Sequence, residues 1–244
     1  MSGFDSYAHD YDAALNRGLA VSGEDKTFFA KGRILWLSRC LKKLGFAPRS
    51  VLDYGCGTGT ATPLFVEILR AEKVVGVDLS AKSLEVARQA YAGLPVEFAL
   101  ASEYVPTGSI DLAFCNGVFH HIPPEKRAET AQLIAACLRP GGLFALWENN
   151  PWNPGARYVM SRIPFDHDAV MLYARSATGL VESAGLRFIR TDYCFVFPKV
   201  LRFLRCIEPC LARLPIGAQY QVLCQKGVDE SRARPDRQQS AQDQ

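Results

Sequence analysis

From residue 50 onward, short apolar runs alternate with longer segments whose apolar residues recur at helical spacing. This pattern predicts strands at 51–53, 73–78, 96–100, 110–115 and 143–148, with helices at 61–71, 81–92 and 124–138 between them. A helix at 175–184 follows, ended by Gly185, and then strands at 187–194 and 219–225. Alternation of this kind predicts an α/β fold in which a mostly parallel sheet carries helices on both faces. Upstream, residues 1–45 read as two amphipathic helices. Phe4, Tyr7, Ala8 and Tyr11 form the apolar side of the first, and Phe28, Phe29, Ile34, Leu35, Leu37, Cys40 and Leu41 that of the second. The polar bend Ser22-Gly23-Glu24-Asp25 separates them.

Residues 1–226 read as one domain, with 1–45 as an N-terminal helical lid and 149–172 as a cap inserted after the fifth strand. Within that cap, Asp166, His167 and Asp168 read as a solvated helix start. A second insertion, 195–217, places Val200, Phe203, Leu204, Ile207 and Leu211 on one helical face and Lys199, Arg202 and Arg205 on another. An amphipathic helix at 199–213 suits a lid over a lipophilic acceptor, peripheral contact with a membrane surface, or plain packing on the body. The polar stretch 227–244 is expected to be a disordered tail.

The most informative segment is Val51-Leu52-Asp53-Tyr54-Gly55-Cys56-Gly57-Thr58-Gly59, an apolar strand that runs into glycines at alternate positions before a helix. Such a turn lets backbone pass close to a ligand. A dinucleotide-binding turn reads G-x-G-x-x-G and aims a helix N-terminus at phosphate. Here the spacing is G-x-G-x-G, and Asp53 stands two positions before the first glycine. Its carboxylate would repel a phosphate and welcome an ammonium group. Asp78 ends the second strand 19 residues after Gly59, near the ~20-residue offset at which an acidic side chain meets a ribose in nucleotide-binding α/β folds.

These residues resemble the class I S-adenosylmethionine-dependent methyltransferases, whose first motif is an apolar strand ending in D-x-G-x-G-x-G. The resemblance extends over roughly residues 48–148 and includes Asn116-Gly117-Val118-Phe119-His120-His121 after strand four and Leu138-Arg139-Pro140-Gly141-Gly142 before strand five. It implies a Rossmann-like doubly wound sheet of seven strands in the order 3-2-1-4-5-7-6, with strand seven antiparallel. It also implies S-adenosylmethionine as cofactor, held by Asp53, Gly55, Cys56, Gly57, Thr58 and Gly59. Asp78 would accept from the ribose hydroxyls, Leu79 would lie against adenine, and Asn116, Gly117 and Phe119 would line the methionyl side. After strand three the family's usual acid is replaced by Ala101, so Ser102 or Glu103 would take over adenine recognition.

Methyl transfer from a sulfonium is an in-line displacement that depends mainly on positioning. His120 and His121 are the candidate bases, an anchoring role for the strand-four loop being the alternative. Trp147-Glu148-Asn149-Asn150-Pro151-Trp152-Asn153 reaches the same crevice, which makes Glu148 a catalytic candidate and Asn149, Asn150, Trp152 and Asn153 the substrate-binding candidates. Asparagines that satisfy their own backbone in a proline-stiffened turn are the competing reading. The expected acceptor is an oxygen or nitrogen of a small molecule. The N-terminal Phe4-Asp5-x-x-Ala8-x-x-Tyr11-Asp12 is similar to quinone-biosynthesis methyltransferases, in which case the product is a C-methylated lipophilic ring; Tyr11 and Arg33 are expected to close over the cofactor. A non-catalytic cofactor-binding protein of the same fold and a nicotinamide dehydrogenase are the remaining alternatives.

Composition narrows the partners. With 28 basic and 25 acidic residues the net charge is +3, too balanced for a nucleic-acid surface. No 18-residue apolar run and no leader-like N-terminus are present, so a cytoplasmic location is expected. Eight cysteines lie scattered, mostly in apolar runs, as reduced thiols do. Cys206 and Cys210 are one helical turn apart but lack a second pair of ligands nearby in sequence, so no metal is expected.

Overall fold

Seven strands pair into one sheet, whose central strands are apolar on both faces and need cover on both sides. They are β1 (Ser50–Tyr54), β2 (Lys73–Asp78), β3 (Val96–Leu100), β4 (Ile110–Asn116), β5 (Leu138–Asn149), β6 (Leu186–Cys194) and β7 (Gln219–Lys226). Their order is β3-β2-β1-β4-β5-β7-β6, and β7 runs antiparallel to both β5 and β6. The topology implied by the glycine-loop motif is thus the observed one. The computed structural model describes residues 11–166 and 168–228, with side chains from residue 15 onward. The expectations for residues 1–10 and 229–244 lie outside that range.

Helices cover the sheet on two sides. One layer is α2 (Lys26–Lys43) and α3 (Thr62–Leu69), which bury Ile34, Leu37, Phe65 and Leu69 against Val51, Phe114 and Trp147. The other is α5 (Arg127–Cys137) and α7 (Ala174–Ser183), which bury Ile134 and Val181 against Leu146, Val222 and Cys224. Each fully buried Leu, Ile, Val or Phe side chain in these layers contributes roughly 1.5–3 kcal/mol by leaving water. Two further helices, α1 (Tyr11–Leu19) and α4 (Ala81–Ala90), flank them. The bend expected between α1 and α2 is present, with Gly23 left-handed and Asp25 capping α2 by accepting from Phe28 N–H at 2.8 Å.

Three elements differ from the sequence expectation. The helix expected over 124–138 opens with a 3-10 turn and gives up Leu138, which already pairs with Ile110 as the start of β5. A further helix, α6 (Pro154–Ser161), occupies the cap segment. Its start carries a capping signal, with Asn153 accepting from Ala156 N–H and Pro154 in the first turn. The third is 199–213, which is not one amphipathic α-helix. Lys199–Ile207 is a 3-10 stretch interrupted at Leu201, and α8 (Glu208–Leu211) follows it. Pro209, inside the segment, lacks the N–H that a continuous helix would use there. Arg205 also turns inward, over the Phe28 ring and onto Glu24, so the basic face is not uniformly solvated.

Candidate active site

The carboxyl ends of β1, β2 and β4 meet at one edge of the sheet, where open α/β sheets bind ligands. Beyond β1 the chain needs left-handed backbone at Gly55 (φ +77°) and Gly57 (φ +53°). A Cβ on Gly55 would lie 2.2 Å from Val118 Cγ2, whereas one on Gly57 would meet no atom within 4 Å. Gly55 therefore serves packing, and Gly57 leaves open space beside the backbone. The Gly57 N–H donates to Asp78 Oδ2 at 2.8 Å, and the Ser80 N–H donates to Asp78 Oδ1 at 2.9 Å. Ser80, not Asp78, caps α4, accepting from the Ser83 N–H. The Asp78 carboxylate is thereby fixed across from the glycine loop.

Asp53 is buried at the end of β1, and its Oδ2 has no hydrogen-bond partner. Burial, with the Asp78 charge added to it, pushes its carboxyl up to about 7, while the nearby Arg33 acts in the opposite direction. A buried carboxylate oxygen without a partner is costly unless a cation meets it.

After β4, Asn116 and Gly117 open onto a cleft, and the chain then tightens into a 3-10 turn, Phe119–His121. Phe119 points into the core and is fully buried, so its side chain does not line the cofactor side as expected. Its N–H donates to Glu148 Oε1 at 2.8 Å. The other Glu148 oxygen lies 2.5 Å from His120 Nδ1. His120 Nε2 faces Asp166 Oδ1 at 3.6 Å, and His121 Nε2 faces the same oxygen at 3.2 Å. Burial alone would disfavour a charged His120, but Glu148 and Asp166 outweigh it and raise the imidazole to about 10. Burial would likewise raise Asp166, yet hydrogen bonds from His120 and His121 hold it below the usual carboxylate range. His120 is therefore a charged hydrogen-bonding group wedged between two carboxylates, which unfits it as a base near neutral pH. His121 is less enclosed and lines the cleft.

The rest of the cleft comes from distant parts of the chain. Lys26, Phe29 and Arg33 of α2 form one wall, Ile163, Phe165 and Asp166 of the cap another, and Asn149 and Gln219 bridge them. Arg33 Nη1 donates to Gln219 Oε1 at 2.9 Å, and Gln219 Nε2 donates to Asn149 Oδ1 at 3.0 Å. Lys26 Nζ donates to Thr60 Oγ1 at 3.2 Å, tying α2 to the glycine loop.

Of the other residues expected at the site, Thr58 is half-buried on the loop, Leu79 is exposed after β2, and Ser102 and Glu103 are exposed after β3. Cys56 is buried beneath the loop, its Sγ turned to the Gly57 carbonyl. Tyr11 lies outside the residues whose side chains are described. Two substrate candidates are not available to a ligand. Asn150 is buried and donates to the Pro215 and Gly217 carbonyls, and Asn153 caps α6 and donates to Ile216. Trp152 is exposed against Tyr173, and Trp152 does not border the cleft. Asn149 does.

Sequence reasoning missed Lys26, Phe29, Gln219 and above all Asp166, which is buried against the histidine pair and is no solvated helix start. Its proximity to His121 arises from a fold-back of the cap, for which local sequence carries no signal.

Comparison with known proteins bears on the same segment. Residues 51–142 match a family model described as "Methyltransferase domain". The chain is 33% identical over 135 residues to a trans-aconitate 2-methyltransferase of Azoarcus sp. (strain BH72), covering 55% of this chain and 53% of that protein. It is 37% identical over 119 residues to one of Rhodopseudomonas palustris (strain BisA53), covering 48% and 45%. The chain thus spans about half the length of the curated relatives it matches. Among solved structures, a methyltransferase dependent on S-adenosylmethionine from Archaeoglobus fulgidus superposes with a TM-score of 0.59 at 18% identity, covering 82% of this chain and 98% of that one. The matched domain, the sheet order and the motif from Asp53 to Gly59 agree: residues 51–142 carry a methyltransferase domain, on the fold of the class I S-adenosylmethionine-dependent methyltransferases.

Proposed function

We propose that this chain transfers a methyl group from S-adenosylmethionine to an oxygen or nitrogen of a small molecule, and that the preferred acceptor is a carboxylate oxygen. The observation that carries this reading is the cleft in which Lys26, Arg33 and His121 stand beside Asn116 and Gly117 at the end of β4. Two permanently cationic side chains suit an anionic acceptor, and Arg in particular suits the planar fork of a carboxylate. The curated relatives carry the name of a carboxylate acceptor, trans-aconitate, which supports the same class.

The donor-side residues fit the cofactor. The unpartnered Asp53 Oδ2 suits an ammonium, the Asp78 carboxylate suits a pair of hydroxyls, and the open space beside Gly57 suits close approach of a ligand. When bound, S-adenosylmethionine supplies an electrophilic methyl group on a sulfonium. The chain's own residues then act by binding and orientation. Arg33, braced by Gln219, and Lys26, braced by Thr60, hold the acceptor's charge. A carboxylate has no proton to lose, so the reaction needs no base. With a nitrogen acceptor, His121 is the group placed to take the proton. Glu148 does not itself line the cleft and positions His120, which does, and the Phe119 backbone.

A second reading rests on the apolar half of the cleft, where Leu15, Leu19, Phe29, Ile163 and Phe165 suit a lipophilic ring and hence C-methylation of a quinone-like acceptor. Peripheral membrane contact through 199–213 goes with that reading, supported by exposed Val200 and Phe203. Among the described residues no helix is long and apolar enough to cross a membrane. A cytoplasmic location is proposed on the scattered free thiols, two of them exposed.

Calorimetry with S-adenosylmethionine and its demethylated product, followed by mass-spectrometric screening for a gain of one methyl, tests these readings. Methylated carboxylic acids support the first, and ring methylation of quinols in anionic vesicles supports the second. Binding of neither cofactor form overturns both.

A further inference from the structure

His120, His121 and Asp166 offer three ligand atoms that all lie within 4.8 Å of one another. The contacts to Asp166 Oδ1 are 3.2 Å from His121 Nε2 and 3.6 Å from His120 Nε2. Around an ion with bonds of ~2.0–2.2 Å, tetrahedral ligands stand roughly 3.3–3.6 Å apart, so small side-chain rotations bring all three onto one centre. We propose that these residues form a binding site for one divalent transition-metal ion, with zinc the best match, opening on the acceptor cleft. This goes beyond methyl transfer and does not depend on which acceptor is used.

Three features separate the cluster from a chance meeting of polar groups. The first is the ligand type. Two imidazoles and a carboxylate suit zinc and its first-row neighbours, while calcium and magnesium prefer oxygen alone. The second is Glu148. Its Oε2 accepts from His120 Nδ1, which aims Nε2 at the cluster, where a bound ion would take the place of the Nε2 proton. Carboxylates that orient a ligating histidine in this way recur behind metal sites. Glu148 is itself fixed by the Phe119 N–H, so the ring is oriented from backbone outward. The third is the way the two neighbouring histidines converge, with ring centroids 4.1 Å apart, within a turn that normally fans successive side chains outward.

Three protein ligands leave a fourth position, the arrangement that distinguishes catalytic from structural zinc sites. His121, the most exposed of the three, lines the cleft together with Asp166 and Asn116. The fourth position therefore suits a water or an oxygen of a bound anion. Because the histidines follow β4 and Asp166 belongs to the cap, an ion here would also cross-link cap and body.

Titration of the chelator-treated full chain with Zn2+ against a chromophoric chelator, and with Co2+ by visible absorption, tests the site without cofactor or acceptor. One equivalent of Zn2+ is expected, together with a Co2+ spectrum free of thiolate charge transfer. Asp166→Asn and the milder His121→Gln should each weaken Zn2+ binding at least about 100-fold, and Glu148→Gln by about 10–100-fold. The double variant Cys206→Ser, Cys210→Ser should bind like the parent. Circular dichroism identifies any variant that fails to fold, and His121→Gln, at the least buried ligand, is the one expected to remain folded. Absence of stoichiometric binding overturns the proposal. So does binding that survives His121→Gln in folded protein, or a thiolate band in the Co2+ spectrum.

Discussion

Glu148 and His120 are joined at 2.5 Å through Oε2 and Nδ1, both almost wholly buried, although one ends β5 and the other follows β4. The bond makes the sheet edge and the cleft one unit, because Glu148 also receives the Phe119 N–H. Removing the carboxylate would leave His120 Nδ1 and the Phe119 N–H buried without partners. Glu148→Ala is therefore expected to lower unfolding free energy by about 3–5 kcal/mol, and Glu148→Gln by less because its carbonyl still accepts. Denaturant unfolding at pH 7.5 checks the difference. Equal stability of parent and Glu148→Ala would show that the contact does not organise the site.

Asp53 predicts a pH dependence. Its carboxyl is raised by burial and by Asp78 to about 7 in the folded chain, against ~3.9 when unfolded. The folded state therefore holds a proton that the unfolded state has lost between about pH 4 and 7, and stability falls as pH rises through that window. Asp53→Asn removes the effect. Without cofactor it should raise the melting temperature at pH 8, by up to ~4 kcal/mol in free energy, with the gain fading to nothing near pH 4. The same variant should lose most affinity for S-adenosylmethionine. In the parent, cofactor binding near pH 7 should release a proton, seen as a calorimetric enthalpy that changes with the buffer's ionisation enthalpy.

The glycine loop separates packing from binding. At Gly55 an alanine meets both left-handed backbone and Val118, whereas at Gly57 it meets left-handed backbone alone. Gly55→Ala should cost several kcal/mol and shift Val118. Gly57→Ala should cost only about 1 kcal/mol yet weaken cofactor binding at least about 10-fold, because the methyl enters the space reserved for ligand. Thermal melts and calorimetry on the two variants give the two rankings, which should be opposite in proportion.

Much of this architecture was legible because it is local. Alternating apolar runs mark the strands and helices, the family resemblance carried by the glycine loop supplies the strand order, and Asp78 needs only its distance from Gly59. Side-chain direction within turns is not local information. Phe119 sits in a segment whose neighbours line the cleft, yet it turns into the core, and Asn150 and Asn153 find carbonyls of 215–217 rather than a ligand. Asp166 and Gln219 come to the site only through long-range packing of the cap and of β7. Their chemistry is ordinary in sequence and acquires meaning from what faces them.

Arg33 is the residue whose substitution should separate donor from acceptor binding. Its Nη1 is braced by Gln219, its charge lowers the Asp53 carboxyl, and its side chain lines the cleft. In Arg33→Met the KM for a carboxylate acceptor should rise roughly 10–100-fold, the range expected when a charged hydrogen bond of about 1.5–3 kcal/mol is lost. Arg33→Lys should recover only part of that, since an ammonium cannot hold a planar carboxylate through two parallel bonds. The cofactor should respond differently. Loss of the guanidinium removes a cation that favours ionised Asp53, so the pH at which S-adenosylmethionine affinity reaches half its high-pH value should move upward in Arg33→Met. Arg33→Lys, which keeps a charge, should hold that midpoint near the parent's. An acceptor KM unchanged in Arg33→Met would remove Arg33 from the acceptor site, and an unmoved cofactor midpoint would separate it from Asp53.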